Sequence, residues 1–199
     1  MKTGIYGGSF DPVHNGHINA AKNFMEELSL DRIIIVPAYC SPFKKGLAVT
    51  PSQHRLNMCN IAFGNLPGFE VLDIEIRRED EGYMSDTVAE IREQNPDDEL
   101  YLLLGGDQLL IFNKWHAWSK IADEATIAAA ARNWEDDSAM EAQAAVLRSM
   151  GASVVIVHID VKEISSTDVR EAVRRGDDIS AMVPDGVAEY IWDNYLYYE

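Results

Sequence analysis

The sequence predicts an α/β fold in which helices cover both faces of a mostly parallel sheet. Short apolar runs end at glycine or proline, and the stretches between them carry apolar residues at helical spacing. Strands that alternate with helices form parallel sheets, which bind ligands outside the carboxyl ends of their strands. Because no linker, repeat or low-complexity tract interrupts the chain, we expect one domain over residues 1–199, with a helical portion from about residue 165.

The chain opens with a strand, a glycine turn and a helix. Residues 2–6 are a short apolar run, and Gly7 and Gly8 end it. Apolar side chains then recur at helical spacing over residues 15–28. This order of elements is typical of the first unit of an α/β fold.

The remaining elements follow from the same patterns. β-Branched residues mark a strand over 32–36, and Pro37 ends it. The prolines and lysines up to Thr50 predict a loop, and residues 100–104 form an apolar strand that meets a second glycine pair. Further strands are predicted over residues 69–76, 125–131 and 153–157, and further helices over 51–63, 85–94, 137–150, 166–175 and 184–195.

Charge and composition narrow the range of partners. A net charge of −16 argues against nucleic acid, which needs a face of Lys and Arg, but it does not argue against a small phosphorylated ligand. No segment approaches the length of a membrane span or a signal-peptide core, and the two cysteines have no disulfide or zinc pattern. We therefore expect a cytoplasmic protein with small-molecule partners. The oligomeric state stays open, and a homodimer is compatible with the sequence.

The first motif that carries chemistry is Gly-Gly-Ser-Phe-Asp-Pro-Val-His-Asn-Gly-His at residues 7–17. It lies between a strand and the start of a helix, where backbone N–H groups and the helix dipole attract anions. His14 and His17 could stabilise charge on a phosphoryl group. By spacing alone they could equally be a metal pair or ordinary structural residues, although no third ligand stands near them.

The second motif is Ile-Ser-Ser-Thr-Asp-Val-Arg at residues 164–170, at the start of a predicted helix. Part of its role is expected to be capping, because a serine or threonine there accepts a hydrogen bond from the first helical turn. Its three hydroxyl groups, together with Arg170 one turn further, could also form a second anion site.

Together the two motifs resemble the nucleotidylyltransferase superfamily that carries an HxGH motif and, within it, the bacterial nicotinate-nucleotide adenylyltransferases. The resemblance implies a Rossmann-like fold and a reaction in which nicotinate mononucleotide attacks the α-phosphorus of MgATP, with Mg²⁺ arriving on ATP and no metal site on the protein. Matching segments continue along most of the chain, at residues 36–44, 55, 82–88, 104–107, 114–118 and 183–197.

The resemblance also implies roles for individual residues. The catalytic group comprises His14, His17, Lys44 and Arg170. The ATP-binding group comprises Gly7, Gly8, Ser9, Phe10, Gly16, Gly105, Asp107, Ile164, Ser166 and Thr167. The group that binds the mononucleotide comprises Tyr83, Met84, Gly106, Trp115 and Arg132. For Asp107 an N-cap role at the helix beginning with Gln108 is an equal alternative, and His54, His116 and His158 receive no role.

One segment departs from the family pattern. Members commonly have Ser-Tyr-Thr where this chain has Gly82, Tyr83 and Met84, so a hydroxyl that would contact the nicotinate carboxylate is missing. Such a contact can decide selectivity, which leaves the nicotinamide form open as an acceptor. A sister enzyme for another phosphate acceptor and a nucleotide-binding module without turnover also stay open. An NAD-dependent oxidoreductase is disfavoured because the first turn lacks the G-x-G-x-x-G spacing.

Overall fold

The computed structural model of the protein describes residues 1–39, 49–79, 82–131, 134–159 and 164–198, excluding the side chains of 134–137. Its six strands form one sheet in the order β3-β2-β1-β4-β5-β6, and the predicted α/β fold is confirmed. The elements, apart from a 3-10 turn at Phe112–Lys114, are β1 (Lys2–Gly8), α1 (Asn15–Glu27), β2 (Arg32–Pro37), α2 (Ser52–Phe63), β3 (Phe69–Val71), α3 (Ile74–Arg78), α4 (Met84–Gln94), β4 (Glu99–Gly105), α5 (Gly106–Leu110), α6 (Trp118–Glu124), β5 (Ala125–Ala131), α7 (Trp134–Ser149), β6 (Val154–His158), α8 (Ser166–Arg175) and α9 (Asp185–Asp193).

The chain divides into two compact units. Unit 1 contains Met1–Gly7, Ala20–Ile34 and Tyr83–Asp160, and unit 2 contains Gly8–Asn19, Ile35–Gly82 and Val161–Glu199. The expectation of one domain over residues 1–199 stays a prediction.

The sheet of unit 1 is built from parallel strand pairs. β1 pairs with β4, β4 with β5, and β5 with β6, with Ile5 opposite Leu102 and Ala129 opposite Ile156. Parallel strands are covered on both faces and therefore consist of nearly continuous apolar residues. The centres of the strands are fully buried accordingly, as at Ile5, Leu102 and Ile127.

The run of alanines in β5 allows close packing of helices. The four residues Ala128, Ala129, Ala130 and Ala131 are all buried, and both α5 and α7 contact this strand. A Cβ atom added to Gly106 at the start of α5 would lie 2.7 Å from Sδ of Met140 in α7 and 3.3 Å from the carbonyl oxygen of Ala130. Larger side chains on β5 would hold these helices away, which is a physical reason for the alanine run.

Polar contacts fasten the amino ends of the strands in unit 1. The carboxylate of Asp98 accepts hydrogen bonds from the Thr3 hydroxyl at 2.7 Å, from the Arg32 guanidinium at 3.1 Å and from the amino group of Met1 at 3.1 Å. These contacts lie at the end of the strands where α/β sheets do not bind ligands. We therefore infer that these contacts stabilise the fold and do not bind a ligand.

Unit 2 holds α2 against α9. The hydroxyl of Tyr190 in α9 is 2.9 Å from Nδ1 of His54 and accepts a hydrogen bond from the Asn57 amide at 2.8 Å. His54 thus has a structural role, as its lack of a functional motif suggested. Cys59 is buried in α2 as a free thiol, and burial raises its pKa well above the ordinary value.

The structure corrects several predicted elements. The strand predicted over 69–76 is wrong beyond Val71, because Ile74–Arg78 forms helix α3. The alternation of apolar residues through Ile76 is compatible with one turn of helix as well as with a strand. Helix α7 begins at Trp134 instead of residue 137, helix α5 begins at Gly106 instead of Gln108, and the short helix α6 was not predicted. The remaining strands and helices agree within a few residues.

Over the residues that the structure describes, no helix is both long enough and apolar enough to cross a membrane.

Candidate active site

The turn of residues 8–14 joins β1 to α1 and packs on a buried aromatic ring. Phe10 is 2% exposed and adopts a left-handed backbone conformation with φ 47°. A Cβ atom added to Gly8 would lie 3.0–3.2 Å from atoms of the Phe10 ring. Gly8 is therefore needed for the close approach of the backbone to this ring, and the turn that follows has a defined path.

His14 and His17 form a stacked pair at the start of α1. Their ring centroids are 3.7 Å apart at an interplanar angle of 25°. The backbone N–H of each residue donates to Nδ1 of the other, both at 3.3 Å. A ring nitrogen that accepts a hydrogen bond carries no proton, so each neutral imidazole holds its proton on Nε2. The pair thus offers two Nε2–H groups as hydrogen-bond donors, because the Nδ1 contact of each ring fixes its tautomer.

Burial lowers the pKa of His14 to about 4, and the nearby carboxylate of Asp168 opposes this shift only in part. His14 is 5% exposed, and the charged form of a buried imidazole is poorly solvated. At neutral pH His14 is therefore an uncharged hydrogen-bond donor instead of a cation.

The start of α8 is a capping box. Oγ of Ser165 accepts a hydrogen bond from the backbone N–H of Asp168 at 3.1 Å, and the Asp168 carboxylate accepts from the backbone N–H of Ser165 at 2.8 Å. The Ser165 hydroxyl, which donates to the Asp168 carboxylate at 2.6 Å, and the Ser165 backbone N–H together hold the pKa of Asp168 below its usual range. The predicted N-cap is confirmed, and it fixes the position at which Ser166, Thr167 and Arg170 follow.

Two hydrogen bonds join α8 to the turn. Oγ of Ser166 donates to the carbonyl oxygen of Pro12 at 2.9 Å, and Nη1 of Arg170 donates to the carbonyl oxygen of Asp11 at 2.7 Å. Nη2 of Arg170 also donates to Oγ1 of Thr167 at 3.2 Å. Two motifs that lie more than 140 positions apart in the sequence are thus adjacent in unit 2.

Arg55 secures the other side of the same turn. Its fully buried guanidinium donates to the carbonyl oxygens of Ser9 at 2.7 Å, Tyr39 at 2.9 Å and Thr50 at 2.9 Å. Three carbonyl acceptors distribute the charge of the buried guanidinium and compensate part of its desolvation. Position 55 is among the segments that resemble the family, but its sequence context gave Arg55 no role, because its partners are distant in the sequence.

The second glycine pair lies at the end of β4. Gly105 is the N-cap of α5, and helix α5 begins at Gly106. Asp107 is exposed in the first turn of α5 and accepts a hydrogen bond from the side chain of Gln108 at 2.8 Å. The alternative that Asp107 caps a helix beginning at Gln108 is therefore wrong, since the cap stands two positions earlier.

An aromatic group in unit 1 involves one residue that motif analysis left without a role. The ring of His116 stacks on the ring of Tyr83 with centroids 4.2 Å apart, and Trp115 packs against Phe112 at 5.5 Å. Tyr83 is the N-cap of α4, and Met84 is the first residue of this helix. The sequence feature that could have identified His116 is its position directly after Trp115.

The predicted site residues fall into three sets. Unit 2 contains Gly8, Ser9, Phe10, His14, Gly16, His17, Ile164, Ser166, Thr167 and Arg170. Unit 1 contains Gly7, Tyr83, Met84, Gly105, Gly106, Asp107 and Trp115. Lys44 and Arg132 lie outside the described residues, as does Cys40. Among the residues whose placement is described, no group of three or more His, Cys, Asp or Glu could hold a metal ion.

Known proteins match the chain over nearly its whole length. The family described as cytidylyltransferase-like matches residues 5–172. A probable nicotinate-nucleotide adenylyltransferase of Dehalococcoides mccartyi is 35% identical over 198 residues, which are 99% of this chain and 97% of the relative. A protein of the same name from Roseiflexus castenholzii is 38% identical over 198 residues, covering 98% of each chain.

Solved structures share the fold. The nicotinic acid mononucleotide adenylyltransferase of Plasmodium falciparum complexed with NaAD has a TM-score of 0.77 at 22% identity, covering 99% of this chain and 98% of that one. A nicotinate-nucleotide adenylyltransferase structure from Vibrio parahaemolyticus has a TM-score of 0.69 at 21% identity, covering 100% of this chain and 97% of that one. The chain therefore belongs to the cytidylyltransferase-like family, among its nicotinate-nucleotide adenylyltransferases.

Proposed function

We propose that this protein transfers the adenylyl group of ATP to nicotinate mononucleotide and releases pyrophosphate, a step of NAD biosynthesis. Its relatives of the same family cover the full chain and carry this activity in their names. The structural observation that supports the proposal most is the pair of hydrogen bonds from Ser166 and Arg170 to the carbonyl groups of Pro12 and Asp11. These bonds bring the starts of α1 and α8, two anion-attracting helix ends, to the same turn of unit 2.

The reaction is a direct displacement. An oxygen of the acceptor's 5′-phosphate forms a bond to the α-phosphorus of ATP, and the bond from that phosphorus to the bridging oxygen of pyrophosphate breaks. Pyrophosphate leaves with the electron pair, so the protein supplies neither a nucleophile nor an oxidant. Its contribution is to position the two substrates and to stabilise the charge on the phosphoryl oxygens.

His14 and His17 supply hydrogen bonds at the reacting phosphate. Each neutral ring has its proton on Nε2, since Nδ1 accepts a backbone hydrogen bond. We assign His17 to the α-phosphate and His14 to a neighbouring phosphate oxygen. Donors of fixed direction stabilise developing charge without rearrangement during the reaction. Lys44 would add a point charge on the phosphates.

The polyphosphate is held by α8 and by the glycine turn. Arg170 rests on the Asp11 carbonyl group and on Thr167, which leaves further N–H groups of its guanidinium for phosphate oxygens. The hydroxyl group of Thr167 accepts from Arg170 and keeps its own proton as a donor at the start of α8. The hydroxyl proton of Ser166 is donated to Pro12, so Ser166 is assigned to phosphate through its backbone N–H in the first helical turn. Imidazole, hydroxyl and guanidinium groups all bind phosphate oxygens, so Mg²⁺ is expected to bind ATP itself and to keep most of its waters.

The nucleoside portions of the substrates are assigned to residues that the family resemblance names. We assign Asp107 to a ribose hydroxyl of ATP, because its carboxylate is exposed in the first turn of α5. Trp115 is assigned to stacking on the pyridine ring, and Tyr83, Met84, Gly106 and Arg132 to the rest of the mononucleotide. The pairing of Tyr83 with His116 extends the aromatic surface at this position.

We attribute selectivity for the acid form of the mononucleotide to the start of helix α4. Met84 begins α4, an 11-residue helix, and the first N–H groups of a helix have no intrahelical acceptor. Together with the helix dipole they favour a carboxylate over a neutral amide. The hydroxyl group that family members commonly carry at position 84 therefore adds to the selectivity for the acid form but is not its only source.

A substrate panel tests this function. With MgATP, pyrophosphate should be released faster with nicotinate mononucleotide than with nicotinamide mononucleotide, because only the acid gains the charge interaction at the start of α4. Phosphopantetheine serves as an acceptor from a sister reaction. The matched variant Met84→Thr should widen the preference for the acid, because threonine restores a hydroxyl hydrogen bond.

Equal rates with both mononucleotides would contradict selectivity at α4 while retaining adenylyl transfer. Release with phosphopantetheine alone would assign the protein to the sister reaction. No release with any acceptor would reduce the protein to a nucleotide-binding module. We further propose that the enzyme acts in the cytoplasm, which agrees with its acidic composition and its few cysteines.

A further inference from the structure

A tyrosine that follows the last helix contacts the phosphate-binding turn. The hydroxyl of Tyr197 donates to Oδ1 of Asp11 at 2.8 Å, across 186 positions of the sequence. Tyr197 adopts a left-handed backbone conformation with φ 68°. The exposed Tyr195 also has a positive φ, of 51°, so the hydrogen bond to Asp11, and not the backbone conformation, distinguishes Tyr197.

Asp11 receives hydrogen bonds from three parts of unit 2. Its side chain is 5% exposed, and its second oxygen, Oδ2, accepts from the backbone N–H of Thr50 at 3.4 Å. Its carbonyl oxygen accepts from Nη1 of Arg170 at 2.7 Å. The carboxylate held by Tyr197 and the carbonyl group that supports Arg170 thus belong to the same residue.

We propose that Tyr197 is a positioning residue for adenylyl transfer: by holding the carboxylate of Asp11 it fixes the backbone carbonyl group against which Arg170 is oriented. This inference rests on the proposed function. In the proposed reaction Tyr197 contacts neither substrate, and Arg170 makes the contact with phosphate.

The hydroxyl of Tyr197 is suited to this role because it keeps its proton. Burial and the neighbouring Asp11 carboxylate raise the pKa of Tyr197 well above its ordinary value, so the hydroxyl remains a donor at all pH values at which the enzyme would work. The side chain of Thr50 also hydrogen-bonds to this hydroxyl. By contrast, Tyr195 and Tyr198 of the same segment are 82% and 50% exposed.

Removal of one oxygen atom tests the proposal. Tyr197→Phe keeps the ring and loses the hydrogen bond to Asp11, and Tyr195→Phe is the matched control because it removes the same atom from an exposed position. For Tyr197→Phe we expect kcat/KM for MgATP to fall about tenfold, the size of effect that follows loss of one hydrogen bond to a charged group. The KM for nicotinate mononucleotide should change little, the melting temperature should fall by a few degrees because the buried Asp11 carboxylate loses a donor, and Tyr195→Phe should resemble the wild type.

A double-mutant cycle identifies the route of the effect. If the hydroxyl acts through Asp11 on Arg170, then Tyr197→Phe should have little further effect in an Arg170→Lys background, because lysine cannot reproduce the oriented guanidinium. Full additivity of the two changes would overturn the proposal. A loss of stability with unchanged kinetic constants would assign Tyr197 a purely structural role.

Direct binding of MgATP separates this inference from the proposed function. Calorimetry should show weaker MgATP binding by Tyr197→Phe than by Tyr195→Phe, whichever acceptor the enzyme uses. If the wild type released no pyrophosphate but the two variants still differed in MgATP binding, the proposed reaction would fail while the role of Tyr197 at Arg170 stood. Equal binding by both variants and the wild type would overturn the role of Tyr197.

Discussion

Two glycine pairs end strands in this protein, and the chain leaves them in different ways. After Gly7 and Gly8 at the end of β1, a turn precedes α1, which begins at Asn15. After β4 there is no such turn, because α5 begins at Gly106 itself. We call these the long turn, residues 8–14, and the short turn, residues 105–106.

The two turns are held by different forces. The backbone carbonyl groups of the long turn accept hydrogen bonds from Arg55, Ser166 and Arg170, which come from distant parts of the chain. The short turn is held by packing, because Gly106 approaches Met140 and Ala130 too closely for a side chain. A polar turn that is proposed to carry catalytic groups therefore depends on polar support from outside, whereas a turn that begins a closely packed helix needs only space.

Loss of an imidazole from the long turn should have the largest effect. We expect His17→Ala to lower kcat by about 10²–10³, because a directed hydrogen-bond donor at the reacting phosphate contributes on this order. The melting temperature should remain nearly unchanged, because His17 is only partly buried. Steady-state kinetics and thermal unfolding check both expectations.

The exposed His158 on β6 provides the control. His158→Ala should leave kcat unaltered. A large fall in stability for His17→Ala with little kinetic effect would show that the long turn uses its histidines for structure.

The long turn, unlike the short turn, should make the stability of the protein depend on pH through His14. Folded His14 has a pKa of about 4 and the ordinary value is 6.5, so between these pH values the unfolded chain binds the proton and the folded chain does not. The contribution of neutral His14 is therefore complete above pH 6.5 and is lost as the pH falls towards 4. Between pH 7.5 and pH 5 the loss should amount to about 2 kcal/mol.

Urea unfolding of wild type and His14→Gln at both pH values isolates this contribution. Glutamine does not titrate, so the variant should lose about 2 kcal/mol less than the wild type over the same interval. Equal losses would mean that His14 is solvated in the folded protein.

The short turn should be sensitive to the addition of a side chain, because it is held by close packing. Gly106→Val adds a side chain at a position where a Cβ atom alone would lie 2.7 Å from Sδ of Met140, and we expect the free energy of unfolding to fall by about 1–3 kcal/mol. In a Met140→Ala background the same substitution should cost less, because the clashing atom is absent. Additive free-energy changes in urea unfolding would contradict the assignment of this turn to packing.

The same contrast explains what the sequence could predict. Strands, long helices and both glycine pairs have local signals, and these predictions were confirmed except where a pattern suited two structures, as at Ile74 and Ile76. The capping box at Ser165 was equally local. Arg55 and Tyr197 lie in segments that resemble the family, but their role at the long turn was missed. They reach it across 46 and 186 positions, and no local pattern marks such pairs.

The smallest expected effect concerns the helix that supports the long turn. Ser165→Ala removes the acceptor for the Asp168 N–H and should lower the free energy of unfolding by about 1 kcal/mol, whereas Ser165→Thr should keep most of the cap. Because Ser166 and Arg170 follow this cap and contact the long turn, Ser165→Ala should also raise the KM for ATP more than the KM for the acceptor. Chemical unfolding and initial rates test both points, and a kinetic effect without any loss of stability would show that Ser165 contacts the nucleotide directly.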